Sequence, residues 1–136
     1  GSNPTAEVRA LASDRVEVTG YVDDEALARR YRAARVAVVP LRYGAGIKGK
    51  VVEALQQGLP LVTTGVGAQG LEGMEAVASV TDDAAAMADA ICRLLQDDAA
   101  WLAQSRGGAA YAAARFSRVA LSKRLEEAML GSEVSA

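Results

Sequence analysis

Short runs of β-branched and other apolar residues alternate along this chain with stretches of helical periodicity, and this alternation constrains the fold strongly. The runs are Val16–Val18, Val36–Val39, Leu61–Thr64 and Val77–Val80. Alternating strand and helix patterns favour an α/β fold with a mainly parallel sheet. The second run is continuously apolar, as expected of a strand that is buried on both faces. A chain of 136 residues fits one domain, and we find no linker or internal repeat that would divide it.

Three helices are expected before the third run. Asn3-Pro4 begins a short helix, and Asp23 caps a second one. A third helix runs from about Lys50 to Gln57. It is ended by Gly58, which supplies a left-handed cap, and by Pro60, which blocks continuation.

Helical periodicity dominates the chain after the last run. The core-facing positions of the first helix there are Met87, Ile91, Leu94 and Leu95. Cys92 lies at helical spacing in the same stretch and is expected to pack in the core. From Ala99 onward we expect two helical pieces that break near Phe116-Ser117. Gly107-Gly108 should weaken the first piece by about 1 kcal/mol per glycine relative to alanine.

Composition excludes several classes of function. The chain has no histidine, which removes Ser/His and Cys/His nucleophile pairs, histidine metal ligands and an imidazole general base. The formal net charge of −2 gives no bulk attraction to nucleic acid or to anionic lipid. The single cysteine excludes an internal disulfide and is typical of a reducing compartment, so we expect a cytoplasmic protein.

Residues Gly44 to Val51, with the sequence GAGIKGKV, match most of three unrelated glycine-rich patterns. The glycines have the spacing of the dinucleotide fingerprint, but Thr63-Thr64 stand where that fingerprint needs an acid. A Walker A loop needs Ser or Thr after its lysine, where this chain has valine. The protein-kinase signature needs a histidine, which the chain lacks. None of the three patterns is therefore complete.

The three patterns share a backbone that approaches an anion closely. Glycines lack a Cβ atom, and the turn precedes the N-terminus of the Lys50–Gln57 helix, where unpaired N–H groups favour negative charge. The chain has 12 arginines and three lysines, and two of these lysines, Lys48 and Lys50, lie in the turn. We interpret the turn as a phosphate site. The alternative is an ordinary strand-to-helix turn with solvated lysines.

Glu53 lies one turn into the same helix, on the face that carries Gly49 and Lys50. A carboxylate in this position can accept two hydrogen bonds from a vicinal diol such as ribose. It can equally complement the helix dipole or pair with Lys50. Position alone leaves both roles open.

Four segments together resemble the group 1 glycosyltransferases, which are retaining enzymes of the GT-B fold. They are VEVTGYV at 16–22, ARVAVVP at 34–40, GAGIKGKVVEAL at 44–55 and GLPLVTTGVG at 58–67. The segments occur in the family's order, and with the C-terminal helices the likeness covers nearly the whole chain. It implies a Rossmann-like three-layer domain, the nucleotide-sugar-binding C-terminal half of a GT-B fold, truncated at its N-terminal side.

The resemblance implies roles for residues that recognise the nucleoside. Glu53 matches the second acid of the family's E-x7-E motif, which holds the ribose hydroxyls of the donor. Ala45 stands at the position of the first acid, which usually contacts the donor sugar, so the identity of that sugar is left open. Gly20, Tyr21 and Val22 match the loop beside the nucleobase.

The glycine-rich turn matches the part of the family's site that faces the sugar and the diphosphate. Gly46, Ile47 and Lys48 match the backbone that approaches these groups, and Gly49 continues the turn into the helix. Lys48 and Lys50 are our candidate catalytic residues, because positive charge there would stabilise the diphosphate leaving group. We expect no metal and no cofactor apart from the nucleotide-sugar substrate.

The resemblance also implies parts of the family's fold that precede the matching residues. These are a strand, a helix and a second strand of the same domain, and an N-terminal acceptor-binding domain. We therefore expect the fragment alone to be inactive. We also expect it to form a homo-oligomer, because exposed sheet edges and apolar faces are unstable in water. Contact of the full-length protein with a membrane surface is left open.

Two other functions remain as alternatives. A GT-B sugar-nucleotide epimerase uses a similar donor half, although the absence of histidine disfavours it. A non-catalytic interaction module would use its helices, especially Val119 to Leu130, as a partner interface. Selective binding of UDP or GDP separates an enzyme from such a module.

Overall fold

The structure is a computed structural model that describes residues 2–117, 122 and 125–130. The chain divides into two compact units, Gly1–Ala33 and Ala34–Ala136. The expected single domain over residues 1–136 stays a prediction. The partner interface proposed for Val119 to Leu130 falls partly outside the described residues; within it, residues 122 and 125–130 are helical.

The first unit contains two helices, α1 (Ala6–Arg9) and α2 (Asp24–Ala33). Helix α1 does not begin at Asn3-Pro4 as predicted, because Thr5 is its cap and accepts a hydrogen bond from the Val8 N–H at 3.3 Å. Asp23 accepts a hydrogen bond from the Ala26 N–H at 2.7 Å, which confirms its predicted capping role.

The strand predicted at Val16–Val18 is wrong. The Val16 carbonyl accepts a hydrogen bond from the Ser13 N–H at 2.9 Å, which closes a turn instead of a sheet ladder. Val16 is 46% exposed, so this apolar residue lacks the buried face that a strand would give it. The Arg30 guanidinium donates two hydrogen bonds to Glu17, at 2.8 and 3.1 Å, and holds the pKa of that carboxyl below its usual range.

The second unit contains a parallel sheet of three described strands in the order β1-β2-β3. They are β1 (Ala37–Val39), β2 (Leu61–Thr63) and β3 (Ser79–Val80). In register, Ala37 pairs with Leu61, and Val62 pairs with Ser79. The predicted α/β fold with a parallel sheet is confirmed, but three of the four expected strands form.

Helix α3 (Gly49–Gln56) follows the glycine-rich turn and buries Val51, Ala54 and Leu55. Gly58 is left-handed, with φ of 67°, and the Leu59 N–H donates to the Ala54 carbonyl at 3.0 Å. This Schellman arrangement satisfies the last carbonyl groups of the helix. The predicted helix and its glycine cap are therefore confirmed, and together they fix where α3 begins and ends.

A short 3-10 turn (Met74–Ala76) leads to β3, and helices α4 (Ala84–Gln96) and α5 (Asp98–Phe116) follow. On α4, Leu94 is buried as predicted, but Leu95 is 52% exposed and Cys92 is also exposed. The predicted core face was therefore too wide, because Leu94 is the one residue of α4 that is fully buried.

Helix α5 runs through Gly107-Gly108 without a break and ends at Phe116, close to the predicted break. Gly108 is buried, and a Cβ atom at this position would lie 3.1 Å from Cδ2 of Leu55 on α3. The absence of a side chain lets α5 approach α3 closely. The weakness predicted from helix propensity is thus offset by packing.

Arg35, just before β1, joins the start of the sheet to the α4–α5 junction. Its Nε donates to the Leu94 carbonyl at 2.9 Å, and its backbone carbonyl accepts from Trp101 Nε1 at 2.8 Å. The guanidinium also lies 5.8 Å from the centroid of the Trp101 ring, within the range of a cation–π contact. The ion pair with Asp98 contributes little, because that carboxylate is 93% exposed.

β1 lies at one edge of the described sheet, and its Val38 side chain is 41% exposed. An edge strand with an exposed apolar side chain favours association with another chain. The homo-oligomer expected from the sequence stays a prediction, and light scattering of the chain at low micromolar concentration tests it.

Leu94 and Leu95 provide a matched test of which face of α4 is buried. We expect Leu94→Ala to lower the free energy of unfolding by about 2–5 kcal/mol, the usual cost of a cavity in a core. Leu95→Ala should lower it by less than about 0.5 kcal/mol, as for other surface positions. Urea denaturation of both variants gives the comparison, and equal losses would contradict the packing of α4 described above.

Candidate functional site

Two glycine-rich segments follow neighbouring parallel strands and therefore lie at the same edge of the sheet. Residues 44–49 come after β1 and lead into α3, whereas residues 65–73 come after β2. In open α/β sheets, ligands bind at the carboxyl ends of the strands. We therefore consider this edge, with the first turn of α3, as the candidate site.

The turn before α3 needs glycine at two positions. Gly44 has φ of 138° and Gly46 has φ of 75°, a region that other residues rarely adopt. A Cβ atom on Gly44 would also lie 3.2 Å from Cε of Lys48. The path of the turn thus depends on these two residues. This path places backbone groups beside the N-terminus of α3.

Lys48 occupies the cap position of α3 and makes no side-chain hydrogen bond to the helix end. Its ammonium group instead donates to the Gly46 carbonyl at 2.5 Å, so the side chain folds back over the turn. Lys50 and Glu53 are exposed on the first turns of the helix. The helix N-terminus is therefore flanked by two cations, and an anion there would be favoured by both the helix dipole and these charges.

The second glycine-rich segment packs against the first through Gly70 and Ile47. A Cβ atom on Gly70 would lie 2.8 Å from Cγ1 of Ile47, closer than real Cβ contacts. The Gly70 carbonyl accepts a hydrogen bond from Arg115 of α5 at 2.8 Å. The position of Ile47 is thus linked to helix α5 through a residue that must lack a side chain.

Sequence reasoning missed several polar side chains at this edge. Thr63 and Thr64 are buried, and their hydroxyl groups donate to the carbonyls of Val39 at 2.8 Å and Leu41 at 2.5 Å. Asp82, after β3, accepts a hydrogen bond from the Gly65 N–H at 2.9 Å. The sequence signal was the pair of threonines at the end of a strand, where the dinucleotide fingerprint needs an acid.

Six of the nine site residues predicted from the sequence lie together in the Ala34–Ala136 unit. They are Gly46, Ile47, Lys48, Gly49, Lys50 and Glu53. The other three, Gly20, Tyr21 and Val22, belong to the Gly1–Ala33 unit. Gly20 is left-handed, with φ of 66°, and the Tyr21 side chain is 79% exposed. The roles of all nine residues stay predictions.

The described residues contain neither a metal-binding cluster nor a membrane-spanning helix. Among residues 2–117, 122 and 125–130, no group of three or more His, Cys, Asp or Glu side chains is placed to hold a metal ion. Within the same residues, no helix combines the length and the apolar character that a membrane crossing requires.

A comparison with known protein families shows the family of the chain. The model of the glycosyl transferases group 1 family matches residues 1–97, which include both the glycine-rich turn and Glu53. The chain belongs to this family. The resemblance found in the four sequence segments is therefore confirmed.

A separate comparison with solved structures supports both the family and the fold. Sucrose-phosphate synthase from Thermosynechococcus elongatus is 29% identical to the chain, with a TM-score of 0.77. The match covers 100% of this chain and 38% of that one, so the group 1 chain described here spans well under half of its structural neighbour. A search of curated proteins found no match.

Gly70 and Gly73 allow a matched test of the contact between the two glycine-rich segments. Both are left-handed, with φ of 80° and 81°, so alanine carries a similar backbone strain at each. The Cβ atom of Gly70→Ala would meet Ile47, whereas that of Gly73→Ala would come no closer than 4.0 Å to Tyr111. We expect only Gly70→Ala to displace the Ile47 side chain.

The chain has two isoleucines, Ile47 and Ile91, so a spectrum of labelled isoleucine δ1 methyl groups reports on the turn and on α4 separately. Gly70→Ala should shift the Ile47 signal and leave the Ile91 signal in place. Gly73→Ala should leave both unchanged. A comparable Ile47 shift in both variants would mean that backbone strain, and not the contact, moves the turn.

Proposed function

We propose that residues 1–136 form a Rossmann-like donor-binding domain of a retaining glycosyltransferase, which transfers a sugar from a nucleoside diphosphate sugar to an acceptor. The proposal rests mainly on the N-terminus of α3. A glycine-rich turn precedes this helix end, and Lys48 and Lys50 flank it. Membership of the group 1 family supports it, because the match includes this turn.

The proposed role of the turn is to bind the donor diphosphate. When the bond between the sugar and the diphosphate breaks, negative charge develops on the leaving phosphate oxygens. Preorganised N–H groups and ammonium groups stabilise that charge more strongly than water does. Lys50 is exposed on the first turn of α3. Lys48 would exchange its hydrogen bond with the Gly46 carbonyl for one with a phosphate oxygen.

Glu53 is the proposed ribose ligand. It is exposed one helical turn beyond Gly49, so its carboxylate can accept hydrogen bonds from the two ribose hydroxyls of a nucleotide whose diphosphate lies at the turn. Gly20, Tyr21 and Val22 are proposed to contact the nucleobase. Tyr21, with a 79% exposed side chain, offers an aromatic face for stacking.

We assign acceptor binding to a domain outside this chain. The structural neighbour is much longer, and the chain corresponds to 38% of it. The name of that neighbour, a sucrose-phosphate synthase, supports a parent enzyme that joins sugars. The full-length parent, and not the 136-residue chain, is therefore the proposed catalyst.

Titration of the labelled isoleucine methyl groups with UDP, GDP and ADP tests the proposal directly. At least one of these nucleotides should shift the Ile47 signal and leave Ile91 in place, because Ile47 lies in the turn. The nucleoside without phosphates should bind far more weakly. If none of the nucleotides shifts Ile47, or if Ile91 moves equally, the chain is an interaction module or binds the donor elsewhere.

Replacement of Glu53 tests the ribose contact. Glu53→Ala should weaken binding of the preferred nucleoside diphosphate by about 1.5–3 kcal/mol, the range for hydrogen bonds to a charged group. The 2′-deoxy analogue should bind wild type more weakly than the ribonucleotide, but the variant should bind both equally. Glu75→Ala, at another exposed acid, serves as the control. A preference for the ribonucleotide that survives in Glu53→Ala would leave Glu53 a role at the helix end only.

A further inference from the structure

Two adjacent buried threonines at the end of β2 have hydroxyl groups that bind different parts of the chain. Thr63 is completely buried and Thr64 is 8% exposed. The Thr63 hydroxyl donates to the carbonyl of Val39 at 2.8 Å. Val39 is also the residue that pairs with Thr63 in the sheet, so this bond reinforces a contact that the strands already make.

The Thr64 hydroxyl makes a different connection, between the second glycine-rich segment and the residues that lead into the first. It donates to the Leu41 carbonyl at 2.5 Å and accepts a hydrogen bond from the Gly67 N–H at 3.2 Å. Leu41 lies beyond the end of β1 and three residues before Gly44, where no sheet ladder holds the chain. One hydroxyl group thus bonds both to the residues that lead into the first glycine-rich segment and to the second segment itself.

The glycine-rich turn needs such a connection because its glycines can adopt many backbone conformations. Gly44 and Gly46 have many accessible conformations in the absence of contacts, and each costs conformational entropy when it is fixed. Helix α3 holds the turn at its C-terminal end. The bond from Thr64 to Leu41 holds it at the other end, so the backbone between them is restricted before a ligand arrives.

We propose that Thr64 is a positioning residue for the diphosphate: its hydroxyl group holds the turn in the conformation that presents N–H groups and lysines to the ligand. The inference rests on the function proposed above. It predicts that loss of the hydroxyl weakens nucleotide binding because the ligand must then order the turn itself. Thr63, which is also buried but whose hydroxyl bonds within the sheet, provides the matched control.

The experiment compares Thr64→Val, Thr64→Ser and Thr63→Val in the chain, with UDP and GDP as probes and the isoleucine methyl signals as readout. Valine keeps the shape of threonine and removes the hydroxyl, whereas serine keeps the hydroxyl. Without ligand, Thr64→Val should shift the Ile47 signal and Thr63→Val should not. With ligand, Thr64→Val should raise the Kd by about fivefold, as expected for one lost hydrogen bond. Thr64→Ser and Thr63→Val should stay within about twofold of wild type.

Thermal melts of all variants separate positioning from stability, since both valine variants lose a buried hydroxyl, which bonds one partner in Thr63 and two in Thr64. If Thr64→Val does not fold, Thr64→Ala makes the same comparison. An unchanged Kd in Thr64→Val, an equal rise in Thr63→Val, or failure of serine to restore binding overturns the inference. If wild type binds neither nucleotide, the proposed function fails; the ligand-free Ile47 signal still decides whether Thr64 holds the turn.

Discussion

The burial of β2 is the constraint on which the Ala34–Ala136 unit depends. Leu61, Val62 and Thr63 are completely inaccessible, and the strand pairs with β1 on one side and β3 on the other. Such a strand can be neither shifted in register nor rotated without exposing apolar side chains or breaking backbone hydrogen bonds. The residues that follow it therefore leave the sheet at a fixed point, and the geometry of the candidate site starts from that point.

The surroundings of the chain change from an apolar core to polar side chains within one or two residues of the strand ends. Inside the sheet, backbone groups satisfy one another, but beyond Thr63 the ladder stops and other partners must replace it. Side-chain oxygens of Thr64 and Asp82 provide these partners for the carbonyl of Leu41 and the N–H of Gly65. A glycine-rich segment can be ordered in this way without large side chains of its own.

Local signals in the sequence predicted local structure well and long-range structure poorly. Helix α3 was predicted almost to the residue because Gly58 and Pro60 act on their own neighbours. The strand at Val16–Val18 was wrong because a strand needs a partner, and an apolar run contains no information about one. Periodicity indicated a buried stripe on α4 but not its width, so Leu95 was misplaced. The hydrogen bond from Thr64 to Leu41 joins residues that are 23 positions apart, and no pattern within either segment predicts it.

The single tryptophan of the chain gives the Arg35 junction an optical property of its own. The Trp101 indole is polarised by a hydrogen bond to the Arg35 carbonyl and by the guanidinium above its ring. Emission excited where tyrosine does not absorb therefore comes from one place, where the start of the sheet meets the α4–α5 junction. Tryptophan fluorescence followed during thermal unfolding therefore records the opening of that junction. It does not report a change in the glycine-rich segments that leaves the junction closed.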